Sequence, residues 1–95
     1  GRPVTDTLPP IIMYARTRPC GDCTRARGRL TELGLPWTEL NTEEDPAHMQ
    51  AMFELTGRRS VPTIVIGESL LVEPSNAELD AALVKAGYSL DADDE

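Results

Sequence analysis

Cys20-Gly21-Asp22-Cys23 is the stretch whose residue types and spacing can do chemistry. Two thiols separated by two residues can cycle between a dithiol and a disulfide, or can supply half of a zinc site. The preceding Ile11-Ile12-Met13-Tyr14-Ala15 is a short apolar run suited to a strand buried on both faces. Pro19 disfavours helix at Arg18, so a loop follows the strand and a helix is predicted to begin near Cys20. A sulfur placed there meets unsatisfied backbone N–H groups and the positive end of the helix dipole, which together favour the thiolate. Cys23 falls about one turn further in, more buried but within reach of a mixed disulfide formed on Cys20. That placement predicts Cys20 as the nucleophile and Cys23 as the resolving thiol.

Other readings of the pair are a zinc half-site and two inert thiols. A structural zinc site normally takes four protein ligands, whereas this chain offers two cysteines and one histidine, His48, on a different predicted helix. His48 is read as a surface residue of its own helix, and no metal site is expected. A domain of this size in a reducing compartment has little use for a structural staple, so redox chemistry is the favoured reading.

The surrounding elements must hold the pair in place. The helix opening near Cys20 should run to Gly34, a C′ glycine followed by Pro36, with Cys23, Ala26, Leu30 and Leu33 as one buried stripe. Gly28 sits inside it at a cost of about 1 kcal/mol relative to alanine, a cost that close backbone packing would explain. Trp37 to Asn41 alternates and reads as a second strand. Asp45-Pro46 opens a second helix, with Met49, Met52 and Phe53 as its apolar stripe and Gly57 as its stop. Pro62 to Ile66 and Leu70 to Val72 flank Gly67-Glu68-Ser69 as a hairpin. Ser75 and Glu78 form a capping-box pattern ahead of Leu79, Ala82, Leu83 and Ala86, with Gly87 as the stop. The predicted order is β-α-β-α-β-β-α: an α/β domain over residues 11–87 with a four-stranded mixed sheet and helices on both faces. Residues 1–10 read as a flexible N-terminal arm and residues 88–95 as an acidic tail.

Composition bounds the partners. The 95 residues are 40 % apolar and 26 % charged, an ordinary soluble globular balance. No apolar run approaches the roughly 18 residues of a membrane span, and no secretory signal layout opens the sequence, so a cytoplasmic location is expected. A net charge of −7 argues against nucleic-acid or membrane partners. Most of the basic residues nevertheless cluster: Arg16, Arg18, Arg25, Arg27 and Arg29 around the cysteines, then Arg58 and Arg59. They are either solvated surface charge or a local positive field favouring a thiolate and acidic substrates. Asp22 has two readings as well. It complements the helix N-terminus, or it opposes thiolate formation on Cys20.

About forty residues after the cysteines, Ser60-Val61-Pro62-Thr63 opens an apolar strand. A C-x-x-C ahead of the first helix, with Val-Pro at the third strand, resembles the glutaredoxin branch of the thioredoxin superfamily. The resemblance runs from about Ile11 to Gly87. It implies the thioredoxin fold, a cis Val61-Pro62 bond lying against the cysteines, and pairing of the Val61 main chain with an incoming thiol peptide. Within that family, Cys20-Gly21-x-Cys23, Ser60-Val61-Pro62-Thr63, Pro74-Ser75 and Leu83-Val84-Lys85 are similar to the mycoredoxin-like redoxins of actinobacteria. Those proteins resolve mixed disulfides between proteins and a low-molecular-weight thiol other than glutathione. Glutathione-specific members usually carry paired glycines before the last helix, where this chain has Val72-Glu73-Pro74, and often Pro-Tyr between the cysteines, where it has Gly21-Asp22.

The activity so implied is reduction of mixed or protein disulfides by a monomer with no resident cofactor. A low-molecular-weight thiol is its co-substrate, disulfide-containing proteins are its substrates, and a flavoprotein reductase is a candidate recycling partner. Arg18, Val61, Pro62, Ser75 and Asn76 are the expected substrate-binding residues, the last two as a helix start able to take a carboxylate. Two alternatives remain at this level. One is a dedicated electron donor to a single enzyme such as ribonucleotide reductase; the other is a glutaredoxin-like protein ligating an iron–sulfur cluster through Cys20.

Overall fold

The computed structural model describes residues 8–90. Its elements follow the predicted order: β1 (Ile11–Ala15), α1 (Gly21–Glu32), β2 (Thr38–Asn41), α2 (Pro46–Thr56), β3 (Thr63–Ile66), β4 (Ser69–Val72) and α3 (Asn76–Ala86). The sheet order is β2-β1-β3-β4. β1 and β2 are parallel, and the pairs β1–β3 and β3–β4 are antiparallel.

The apolar run of β1 is central because both its faces are covered. Ile11, Met13 and Ala15 are buried on one side and Tyr14 on the other. α1 and α3 pack on each other and form one layer, while α2 packs against β1 and β2 and supplies the other. Cys23, Ala26 and Leu30 fill the α1 stripe as expected, with Leu33 partly buried at its end. No helix among the described residues is long and apolar enough to cross a membrane.

The helix boundaries obey local chemistry. α1 closes in a Schellman arrangement: the Leu35 N–H donates to the Leu30 carbonyl and the Gly34 N–H to that of Thr31, with Gly34 at φ +73°. Asp45 caps α2 by accepting from the Ala47 N–H at 2.9 Å, and Pro46 is the first helical residue. Ser75 and Glu78 cap α3 reciprocally.

Some expectations need correction. Trp37 precedes β2 rather than opening it, because β2 is an edge strand pairing only along β1, from Thr38 opposite Ile12 onward. Pro62 likewise lies just outside β3. Phe53 is 37 % exposed, since α2 seats only Met52 fully, and the Arg59 guanidinium stacks over its ring at 4.9 Å. The chain on either side of the 11–87 domain is tied to it where described. The Tyr88 hydroxyl donates to the Pro9 carbonyl, and Leu8 and Pro9 approach Gly87 and Gly67. Residues 1–7 and 91–95, the remainder of the expected arm and tail, lie outside the described residues.

Close packing does not explain Gly28. A Cβ built there meets nothing within 4 Å, and the residue faces solvent. Gly28→Ala should therefore stabilise the fold by about 0.5–1 kcal/mol through the smaller entropy lost on folding. Equilibrium denaturation measures this, and an unchanged or lower midpoint would contradict an open helix position.

Candidate active site

Register brings the site together. The pairing of Ala15 with Asn41 carries the β1–α1 and β2–α2 loops off the same edge of the sheet. The pairing of Tyr14 with Thr63 places Val61-Pro62 at that edge too, and Thr63 opposite Val72 adds the β4–α3 connection. The Glu73 N–H then donates to the Pro62 carbonyl at 2.8 Å. Four connections thus converge where β1 ends, at the crevice outside the carboxyl ends of the parallel strands.

Cys20 occupies the N-cap position of α1 in extended backbone, and its sulfur accepts the Cys23 backbone N–H at 3.1 Å. A sulfur in this position replaces the usual hydroxyl or carboxylate cap, so negative charge on it is directly stabilised. Cys20 is half-buried, whereas Cys23 is fully buried in the α1 stripe. The two form a disulfide, with Cα atoms 5.2 Å apart. The Val61-Pro62 peptide is cis, and the Val61 carbonyl oxygen lies 3.9 Å from the Cys20 sulfur. Val61 is outside the strand ladder, and among the described residues its N–H and carbonyl enter no backbone hydrogen bond. Among the described residues no group of three or more histidine, cysteine or acidic side chains could hold a metal ion. His48 instead binds the Asn41 carbonyl through Nδ1 at 3.1 Å.

The arginines around the cysteines are largely neutralised. Arg18 pairs with Glu43, Arg25 with Asp22 at 2.9 Å, Arg27 with Glu39 at 2.7 Å, and Arg29 with Asp80 at 2.7 Å and Glu32 at 2.8 Å. Arg25 also donates to the Pro74 carbonyl at 3.1 Å, linking α1 to the entry of α3. Asp22 is therefore half of an ion pair on the first turn of α1, which tempers any effect of its charge on Cys20. Arg16 is different. It donates to the Pro19 carbonyl at 2.9 Å, has no carboxylate partner among the described residues, and keeps a buried Nε without a hydrogen-bond partner.

Of the predicted substrate-binding residues, Val61 stands against the sulfur through its carbonyl, Pro62 follows it across the cis bond, and Arg18 lies two residues before Cys20 on the approach loop. Ser75 and Asn76 open α3 on the same edge. Both Ser75 groups are already engaged, its Oγ by the Glu78 N–H at 3.1 Å and its own N–H by the Glu78 carboxylate at 2.9 Å. That leaves the N–H groups of Asn76 and Ala77 as the open donors of the turn. Sequence reasoning missed Glu43 and Asn41. Glu43 accepts from the backbone N–H groups of Thr17 and Arg18, each at 3.1 Å, and from the Arg18 guanidinium. Asn41 donates to the Thr17 hydroxyl at 2.9 Å and accepts the Glu43 N–H at 2.8 Å. Only the parallel β1–β2 register could have revealed them, because 25 or so residues separate the partners.

A mixed sheet in this order, with a half-buried N-cap cysteine, a buried second cysteine and a cis Val61-Pro62 bond whose Val61 carbonyl faces Cys20, defines a thioredoxin-fold thiol–disulfide oxidoreductase. The glutaredoxin family model matches residues 11–71, from β1 into β4, and the chain belongs to the glutaredoxin family. It is 32 % identical over 87 residues to a glutaredoxin from Ricinus communis, covering 81 % of this chain and 84 % of that protein. The holo form of glutaredoxin C1 from Populus tremula x tremuloides superposes with a TM-score of 0.64 at 26 % identity, covering 83 % and 87 % of the two chains. A buckwheat glutaredoxin–glutathione complex shares the fold, with a TM-score of 0.65 at 24 % identity over 82 % and 76 % of the chains.

The loop and strand carboxylates make stability acid-sensitive. Glu43 is held below the ordinary glutamate value of 4.5 chiefly by its bond from Arg18, and Glu39 chiefly by its bond from Arg27. A depressed folded-state value means the contribution is fully present above that ordinary value and is lost as pH falls through the lowered one. Denaturation midpoints should fall on that acid limb, and combining Glu39→Gln with Glu43→Gln should flatten it. An acid limb unchanged in the double variant would show that these pairs contribute nothing.

Proposed function

We propose that this glutaredoxin reduces mixed disulfides between proteins and a low-molecular-weight thiol other than glutathione. The carrying observation is the Cys20 sulfur held at the α1 N-terminus beside the Val61 carbonyl. Cys20 thiolate attacks the disulfide sulfur on the small-thiol side, forms a new S–S bond and expels the protein thiolate, which takes up a proton. Cys23, as thiolate, then attacks Cys20 and releases the small thiol, leaving the Cys20–Cys23 disulfide. Two equivalents of the small thiol, or a flavoprotein reductase, return two electrons and restore the dithiol. The Val61 main chain, outside the strand ladder and without a backbone–backbone hydrogen bond among the described residues, supports docking of the thiol's peptide-like portion as an added strand. The chain works as a monomer in a reducing compartment such as the cytosol, where the small-thiol pool can recycle it.

Discrimination against glutathione is supported by charge at the α3 entry. Glu73 stands next to Pro62 in a left-handed conformation, φ +52°, that ordinarily favours glycine. Glu73 is exposed on the connection into α3 and Glu78 holds its carboxylate on the Ser75 N–H, so both add negative charge to the end of the sheet that carries Cys20, which disfavours an anionic thiol there. Turnover should be measured on one model protein mixed disulfide built in turn with glutathione, mycothiol and bacillithiol. The uncharged mycothiol form should be a better substrate for the native chain than the anionic glutathione form, and Glu73→Gly should narrow that gap. Equal turnover of all three would refute the discrimination. Cys20→Ser should abolish the activity, whereas Cys23→Ser should accumulate a Cys20 adduct visible by intact mass. Normal turnover by Cys20→Ser would overturn the chemistry itself.

A further inference from the structure

Between Ala15 and Gly21 the chain that carries the nucleophile has no regular secondary structure, so its shape depends on bonds from elsewhere. Glu43, on the turn after β2, supplies them. One carboxylate oxygen accepts both the Thr17 and Arg18 backbone N–H groups, and the other takes the Arg18 guanidinium. Asn41 holds the Glu43 and Glu44 N–H groups on its Oδ1, at 2.8 and 2.9 Å, while its amide nitrogen reaches the Thr17 hydroxyl. The clamp is anchored where the Thr42 N–H and hydroxyl both donate to the Ala15 carbonyl, at 2.8 and 3.0 Å. Its position two residues from Cys20 gives this arrangement a chemical consequence as well as a structural one.

We infer that Glu43 is a positioning residue that holds the nucleophile loop and, by neutralising Arg18, keeps the mouth of the site unattractive to anionic thiols. This rests on the disulfide-exchange reading above and adds to it a residue that sets selectivity. The charged groups on the elements meeting Cys20 are Arg16 and Arg18 on its own loop, Asp22, Arg25, Arg27, Arg29 and Glu32 on α1, Glu43 and Glu44 on the β2–α2 turn, Arg58 and Arg59 on the connection to Val61, and Glu73 before α3. The pairs nearest the sulfur cancel, Arg18 with Glu43 and Asp22 with Arg25, and Arg27 and Arg29 are met by Glu39, Asp80 and Glu32; among the described residues Arg16, Arg58, Arg59, Glu44 and Glu73 stand outside the ion pairs. Removing only the charge of Glu43 releases a whole cation two residues from the sulfur. Arg18 is 74 % exposed in its side chain, so solvent screens that cation and its effect is modest and sensitive to salt.

Glu43→Gln and Glu43→Ala separate the two roles, because glutamine keeps a neutral acceptor for the Thr17 and Arg18 N–H groups and alanine keeps none. Each variant is assayed on glutathionylated protein and on a neutral small disulfide, bis(2-hydroxyethyl) disulfide, with the Cys20 thiolate titrated by its ultraviolet absorbance. Glu43→Gln should raise kcat/KM for the glutathionylated substrate relative to the neutral one by roughly two- to five-fold. It should also titrate Cys20 at lower pH than the native chain, and both effects should shrink as salt is raised. Glu43→Ala should lose turnover on both substrates through a looser loop, with glutamine rescuing the loss on the neutral disulfide. In an Arg18→Gln background, Glu43→Gln should no longer change the ratio. An unchanged ratio and titration in Glu43→Gln, or the same change without Arg18, would overturn the inference. Failure of the native chain to reduce either substrate would instead overturn the exchange reading on which it rests.

Discussion

The Cys23 backbone N–H donates to the Cys20 sulfur, and the site depends on that bond. It makes the sulfur the N-cap of α1, so the helix ends its own need for an acceptor on the atom that must carry negative charge in the reaction. The same geometry fixes the division of labour. A residue at the cap faces the sheet edge and remains half-exposed, while a residue one turn on falls on the buried stripe with Ala26 and Leu30. Reactivity and protection are thus two consequences of one helical period.

Around that bond the charge is arranged with restraint. A chain of net charge −7 gathers five arginines around the cysteines and meets four of them with carboxylates, Arg25 through Asp22 of its own helix and the other three from other elements. Glu43 comes from the β2–α2 turn, Glu39 from β2 and Asp80 from α3. Arg29 with Asp80 also joins the two helices of one layer, and Arg25 ties α1 to the Pro74 carbonyl. The arginines therefore serve first as ties between elements. The positive field imagined from their clustering is reduced to Arg16 near the cysteines, with Arg58 and Arg59 lacking a carboxylate partner among the described residues.

Much of the fold was legible because its signals are local. The stops at Gly34, Gly57 and Gly87, the Asp45-Pro46 start and the Ser75–Glu78 box each act within a few residues, and each is found as read. Readings went astray where the answer lay in a neighbour. Phe53 has the spacing of a core residue but lies on the side of α2 that meets solvent and Arg59. Gly28 suggested a close approach that no other element makes.

By itself, the sequence determined the element order, the caps and the cysteine that would stand at the head of α1, because turn chemistry and helical spacing are properties of adjacent residues. Tertiary structure alone decided which loops share the sheet edge and which charge answers which. Glu43 meets Thr17 and Arg18, and Val61 meets Cys20, across 25 or more residues of chain. Those contacts are set by strand register, and register is a relation between segments that no single segment contains.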